Sequence, residues 1–443
     1  MTAITHPSQA AAPQSTGFTH EEKRVLWATL VGTAIEWYDF FIYAQAAALI
    51  LAPLFLSGLA SESPGLAQIL SYATLGISFL FRPLGAIAAG TLGDRYGRKQ
   101  VLVFTLILMG ASTSLIGVLP TYAQIGIWAP IGLVILRILQ GFSAGGEWGG
   151  AALLAVEHAP VHRRSLFGSF PQIGVPIGML LATAVTLAIN LIIGKEAYLA
   201  WGWRFPFLLS IALIVVGILI RRKVEESPVF TELRDRRKEA SAPLKELIQS
   251  HGGRVLRAAL IFVANNAAGY LLLAFLIGYG QKALGFETTQ VLWASVLAAL
   301  GWLASTVLGG AMGDRIGRIR TFVIGYVILA LWAIPMWFIF ETRSLPLFFG
   351  GLLVLSLPLG LTYGPQAALY AEMFPAKIRY SGVAVGYALG AVLGGAFAPM
   401  IAQAIMAASG KAWPIGMYLV VLCAISLSAL LTMRDPQGVD LNE

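Results

Sequence analysis

GTLGDRYGR occupies Gly90–Arg98 and GAMGDRIGR occupies Gly310–Arg318; the two stretches agree at six of nine positions and lie 220 residues apart. A second echo runs at nearly the same offset: Glu157-x-x-Pro160-x3-Arg164 returns as Glu372-x-x-Pro375-x3-Arg379, 215 residues on. Two echoes at almost one spacing mark an internal duplication. Around them the chain is a succession of apolar runs, near 26–56, 67–91, 100–119, 126–156, 165–193 and 203–221, then 256–281, 289–312, 320–340, 345–371, 381–407 and 413–433. A helix that crosses a bilayer takes about 20 mostly apolar residues, and each run approaches or exceeds that. The expected fold is an all-α polytopic membrane protein with twelve transmembrane helices in two six-helix halves. Its expected parts are a disordered tail 1–24, a first half 25–221, a charged central loop 222–255, a second half 256–433 and a short tail 434–443.

Composition points the same way. The 443 residues are 57% hydrophobic and 12% charged, with mean hydropathy +0.76, whereas soluble domains carry about 25% charge. A disordered chain, a coiled coil and an ordinary cytosolic enzyme are excluded. The net charge of +8 does not indicate nucleic acid, because the basic residues form short clusters between apolar runs and no continuous basic face. Cys423 is the single cysteine, so no internal disulfide is possible.

Lys and Arg placement sets the orientation. With the N-terminus inside, cytoplasmic segments hold 23 of the 30 basic residues. The opposite side holds four: Lys195, Lys282, Arg343 and Lys411. Both termini are therefore expected in the cytoplasm.

Charges inside the runs are the sharpest functional signal, since each costs at least ~2.5–3.5 kcal/mol at a helix centre. They are Glu36, Asp39, Arg82, Arg137 and Glu147, with Arg204 at an interface. All five histidines fall in the first tail or in loops, so any proton relay inside the apolar runs would fall to carboxylates. At ~1.5 Å of rise per residue, Asp39 and Arg137 come out at one depth, and Glu36 and Arg82 at another. The depth match makes Asp39 and Arg137 the leading coupling pair, with Glu36 and Glu147 beside them; structural salt bridges are the alternative. Three arginines against three acids leave one uncompensated cation when one acid is protonated, which favours a mono-anionic substrate. Polar groups at mid-depth complete the candidate substrate contacts: Arg137, Arg82, Tyr43, Gln140, Trp148, Gln172, Asn265, Asn266, Tyr363 and Tyr387. Gly141, Gly145 and Gly149 stand at the spacing that lets helices approach closely, and packing is their expected role.

The loop at Gly90–Lys99 resembles the signature of the major facilitator superfamily. GTAIEWYDFFIYA (Gly32–Ala44), FRPLG (Phe81–Gly85), RILQGFSAGGEWGGAALL (Arg137–Leu154), WGWRFPF (Trp201–Phe207) and GLTYGPQAALYAEMFPAKIRYSG (Gly360–Gly382) resemble its metabolite:proton symporters, the carriers of shikimate, citrate, 2-oxoglutarate or betaine. The tone is nearest the shikimate type. The resemblance implies alternating access, with charge relays that close the cytoplasmic side. The implied gating residues are Gly90, Asp94, Arg95, Gly97 and Arg98, their counterparts Gly310, Asp314, Arg315, Gly317 and Arg318, together with Glu157, Arg164, Glu372 and Arg379. Ile319 stands where the first copy has Lys99, so the second copy departs from the pattern.

The expectation is a multi-pass carrier of the bacterial inner membrane that imports a small organic acid with protons. It is expected to work as a monomer in the lipid bilayer, with the proton as coupling ion, no cofactor or metal, no nucleic acid and no enzymatic activity. A zwitterionic or neutral solute and proton-driven efflux stay open as alternatives. A membrane-integral enzyme or sensor is disfavoured, since no G-x-x-x-x-G-K-[ST] phosphate loop is present.

Overall fold

The computed structural model describes residues 20–96, 98–145, 147–223, 243–376 and 378–441. The first half comprises α1 (His20–Leu49), α2 (Pro64–Tyr96), α3 (Arg98–Val118), α4 (Trp128–Glu157), α5 (Arg164–Ile193) and α6 (Arg204–Lys223). The second comprises α7 (243–282), α8 (Thr288–Ile316), α9 (318–341), α10 (Leu345–Met373), α11 (Arg379–Ser409) and α12 (Trp413–Leu431). Among the described residues eight helices are long and apolar enough to cross a membrane, and bent pairs at α6 and α9 bring the number to ten. The other two are α1, whose apolar run is broken by Thr29, Thr33, Glu36, Asp39 and Gln45, and α3, whose described apolar part is Val103–Val118.

The duplication reappears as packing. In the first half α1 lies along α5, α2 along α4, and α3 along α6. The second half repeats each pairing six helices later: α7 with α11, α8 with α10, and α9 with α12. The halves then meet along α5·α8 and α2·α11, which are one pair of equivalent helices with the halves exchanged. The main seam is thus a pseudo-twofold interface.

Small residues set the distances. A side-chain carbon on Gly141 would lie 1.8 Å from the Ser78 carbonyl oxygen, and one on Gly145 would lie 2.0 Å from that of Arg82. Both glycines let α4 seat directly on the α2 backbone, as the four-residue spacing leads one to expect.

The charged central stretch is expected to be a loop with helical patches, and the end of it that the structure describes is helical: α7 begins at Pro243 as a helix that runs through Ile261. Leu247, Val255, Ala258 and Ala259 are buried, and their spacing gives a narrow apolar stripe that the charges between them mask. Residues 224–242, most of the expected central loop, lie outside the described residues, as does nearly all of the 1–24 tail.

Candidate functional site

A central cavity lies where the halves meet. Trp37 of α1 and Val175 of α5 contribute from the first half. The second half supplies Phe262, Asn265, Asn266, Gly269, Tyr270 and Leu273 of α7, with Trp302, Tyr363 and Tyr387. Local backbone positions these groups. α7 breaks at Phe262, resumes over Val263–Tyr270, and widens into a π turn at Leu271–Phe275, the kind of irregularity that collects at functional sites. The cavity encloses only about 20 Å³, room for a water or so. Phe262 stacks on Tyr363 with centroids 5.5 Å apart, and Trp302 and Tyr387 close against the same cluster at 5.9 Å each.

The unspent hydrogen-bonding groups around this space define what it can hold. Buried polar atoms normally have partners, yet Trp37 Nε1, Trp302 Nε1 and the Tyr270 hydroxyl have none. Asn265 donates to the Leu359 carbonyl at 2.9 Å and to Thr362 Oγ1, and Asn266 donates to the Phe262 carbonyl at 3.2 Å. These bonds orient both amides and leave their oxygens as acceptors. Beside Trp37, the buried Arg82 guanidinium sits 4.3 Å from the Phe40 ring centre, 4.4 Å from that of Phe79 and 5.6 Å from that of Trp37. Its Nε and one terminal nitrogen have no hydrogen-bond partner. The site therefore presents donors and a cation, with two acceptors opposite.

Arg137 is placed differently. It donates to the Thr74 carbonyl at 3.3 Å, the Leu75 carbonyl at 3.1 Å, Ser78 Oγ at 2.7 Å and Gln140 Oε1, and its guanidinium lies 3.8 Å from the Tyr43 ring centre. Its donors are committed to α2 and to its own helix. It forms no direct ion pair with Asp39, contrary to the depth match. Asp39 instead accepts from Ser210 Oγ at 2.5 Å and from Thr113 Oγ1 at 3.1 Å. Gln140 Nε2 donates to Thr113 Oγ1 at 2.9 Å, so Asp39 and Arg137 are joined through Thr113 and Gln140. Equal depth does not fix azimuth: α3 stands between the two groups and supplies the hydroxyl. Tyr43 lies under Arg137 with its hydroxyl 2.6 Å from Thr74 Oγ1.

Glu36 is buried one residue before Trp37, and Glu147 is buried at the start of the second segment of α4; neither lines the cavity. Arg204 is a correction to the charge count. It is partly exposed and donates to the Gly117 and Leu119 carbonyls at 2.8 and 2.9 Å, satisfying the end of α3. It plays no part at the site, so three arginines no longer balance three acids.

On the basic face the halves are clamped by charge. Glu372 of α10 accepts from Arg318 at 3.0 Å and from Arg164 at 3.2 Å, with a second Arg318 contact at 2.8 Å. Asp314 accepts the backbone N–H groups of Ser165 and Leu166 at 2.8 and 2.9 Å, at the positive end of α5. Arg379 and Glu157 approach to 3.8 Å. Arg164, Ser165, Leu166 and Glu157 belong to the first half and their partners to the second. Gly310 packs against Ser169, and Gly317 turns the chain at φ +102°. Arg315 is exposed and joins none of these bonds. The side chains of the first copy, Gly90, Asp94, Arg95, Gly97 and Arg98, lie outside the described residues.

A neutral layer separates this clamp from the cavity. Trp148 Nε1 donates to Gln172 Oε1 at 2.9 Å, and Gln172 Nε2 donates across the seam to Gln366 Oε1 at 2.9 Å. The Trp148 ring stacks on Tyr387 at 3.8 Å. On the opposite face Lys282 donates to Gln68 Oε1, and the Tyr72 hydroxyl lies 3.4 Å from the Ala274 carbonyl. Among the described residues, contacts between the halves thus cross the seam on both sides of the cavity.

Of the substrate contacts expected from sequence, Asn265, Asn266, Tyr363 and Tyr387 line the cavity. Arg137, Gln140 and Tyr43 belong to the Asp39 network, Trp148 and Gln172 to the layer beneath, and Arg82 to the cavity's edge. Sequence reasoning missed Trp37, Tyr270 and Trp302. The available signal was Trp37 directly after Glu36 on a polar helix; the other two are indistinguishable by pattern from packing aromatics.

Residues 25–254 match the family described as "Sugar (and other) transporter", and residues 281–442 match the "Major Facilitator Superfamily". The chain is 37% identical over 427 residues to the inner membrane metabolite transport protein YhjE of Escherichia coli, covering 95% of this chain and 96% of that one. It is 35% identical over 421 residues to the shikimate transporter of Escherichia coli, covering 94% and 95%. It is 33% identical over 422 residues to the glycine betaine/proline/ectoine/pipecolic acid transporter OusA of Dickeya dadantii, covering 93% and 83%. The solved structure of the proton:xylose symporter XylE bound to 6-bromo-6-deoxy-D-glucose superposes with a TM-score of 0.76 at 18% identity, over 96% of this chain and 98% of that one.

Proposed function

Because the chain belongs to the major facilitator superfamily and is a metabolite transporter of the bacterial inner membrane, not an enzyme, we propose that it takes up a small hydroxylated organic acid together with protons. The observation that carries the substrate class is Arg82: a buried guanidinium with unspent donors at the edge of the central cavity. Carboxylates satisfy such a fork in two parallel bonds. Trp37, Trp302 and Tyr270 offer further donors, and the Asn265 and Asn266 oxygens accept from hydroxyls. The aromatic walls suit the faces of a small ring. In a cavity widened beyond its present volume of about 20 Å³, a mono-acid polyol such as shikimate would use these groups.

Proton coupling is assigned to Asp39. A buried carboxylate held only by hydroxyls carries a large desolvation cost as an anion, and a proton removes it. Its charge is read by Arg137 through Thr113 and Gln140, and Arg137 is bound to the stretch of α2 that also carries Arg82. Loading and proton binding are thereby mechanically linked on one helix. Release follows when the clamp at Glu372 and Asp314 opens to the cytoplasm.

A second reading, a zwitterion of the betaine kind, is favoured by the six aromatic side chains around the cavity, which suit a quaternary ammonium. Uptake into proteoliposomes under an acid-outside gradient, competed by shikimate, citrate, 2-oxoglutarate and betaine, separates the two. The organic-acid reading expects inhibition by the mono-acid and at least a tenfold rise in KM for Arg82→Gln. Betaine uptake untouched by any acid, or an unchanged KM in that variant, refutes it.

A further inference from the structure

We propose that residues 435–441 form a strap that locks the basic, cytoplasmic gate. The segment follows α12 and folds back across the clamp. Asp435 Oδ2 accepts the Ile319 backbone N–H at 3.0 Å, and Gln437 Nε2 donates to the Asp314 carbonyl at 2.9 Å. A turn closed by Val439 N–H to the Pro436 carbonyl at 3.2 Å carries Gly438 at φ +89°. That turn brings the Gly438 N–H to 3.5 Å from Glu372 Oε1 and presents the Val439 carbonyl to Arg164 at 2.6 Å. Leu441 packs against the main core.

These contacts divide cleanly by half. Ile319, Asp314 and Glu372 move with the strap, because all belong to the second half. Among the described hydrogen bonds of the strap, the one to Arg164 reaches the first half, and that guanidinium is shared between Glu372 and the Val439 carbonyl. Opening the clamp inward must break that bond while leaving the rest of the strap seated. The strap therefore adds to the closed state a charge-assisted hydrogen bond that the inward-open state lacks, and it fixes the Glu372 carboxylate that receives Arg164. Ile319, where the first loop copy has Lys99, supplies a backbone docking point in place of a cation. Nothing in the organic-acid assignment requires this segment.

Hydrogen–deuterium exchange of the full carrier in lipid nanodiscs tests the proposal against a chain ended after Arg434 and against Asp435→Ala/Gln437→Ala, which keeps the length. Release of the strap should speed exchange at residues 161–170 by roughly ten- to a hundredfold, the range for one lost charge-assisted bond. It should also slow exchange at the outer seam, residues 271–284, as the outward-open population falls. A strap that merely covers the surface would speed exchange beneath itself and leave the outer seam unchanged, and that result overturns the proposal. Unchanged exchange at both sites in both variants overturns it as well. The measurement needs no substrate, so it stands or falls apart from the organic-acid reading.

Discussion

Glu372→Gln isolates the contribution of one seam-crossing ion pair to the conformational equilibrium. Glu372 bonds Arg318 within the second half and Arg164 across the seam. Its Arg318 bonds travel with the half and are lost equally from every state, so they cancel. Of the Glu372 bonds, the one to Arg164, at 3.2 Å between buried groups, distinguishes the closed clamp from the open one. A hydrogen bond to a charged partner contributes ~1.5–3 kcal/mol, so the inward-open population should rise roughly ten- to a hundredfold relative to the closed one. Ala367, fully buried on α10 with its methyl against Gly168 of α5, reports the opening. In a Cys423→Ser background, Ala367→Cys should react with an impermeant maleimide in inside-out vesicles faster by that factor once Glu372→Gln is added. Arg164→Ala should act at least as strongly, and the double variant should add little to it, because partners in one bond are not independent. Unchanged labelling, or full additivity of the two substitutions, would show that the pair does not hold the gate.

Three further outcomes follow from the same geometry. Asp39→Asn should abolish gradient-driven accumulation while sparing substrate exchange; accumulation at the wild-type level would remove Asp39 from coupling. Gly141→Val should destabilise the first half, because its side chain meets the Ser78 carbonyl at 1.8 Å and overpacking costs ~1–3 kcal/mol or more; a melting temperature in detergent within a degree of wild type would contradict the packing. Arg204→Ala should lower that melting temperature yet leave KM as it was, since the side chain holds carbonyls at the end of α3; a raised KM would return Arg204 to the site.

What the sequence by itself determined is whatever depends on transfer from water to lipid and on the repeat. Twelve apolar runs and the duplication are properties of composition and spacing, because a bilayer accepts only apolar helices with their backbone bonds satisfied internally. The buried charges were legible for the same reason, as costly exceptions in apolar runs. Tertiary structure alone decided how they are used. Depth along a helix is a sum over residues, whereas rotation about its axis depends on which neighbour packs where. Asp39 and Arg137 share a level but face different partners, with Thr113 of α3 between them. Arg82 and Arg137 look alike in sequence, and only packing commits Arg137 to α2 and Gln140 while two nitrogens of Arg82 keep no partner. The aromatic cavity and the strap over Arg164 are likewise contacts between segments far apart in the chain, and no local pattern announces them.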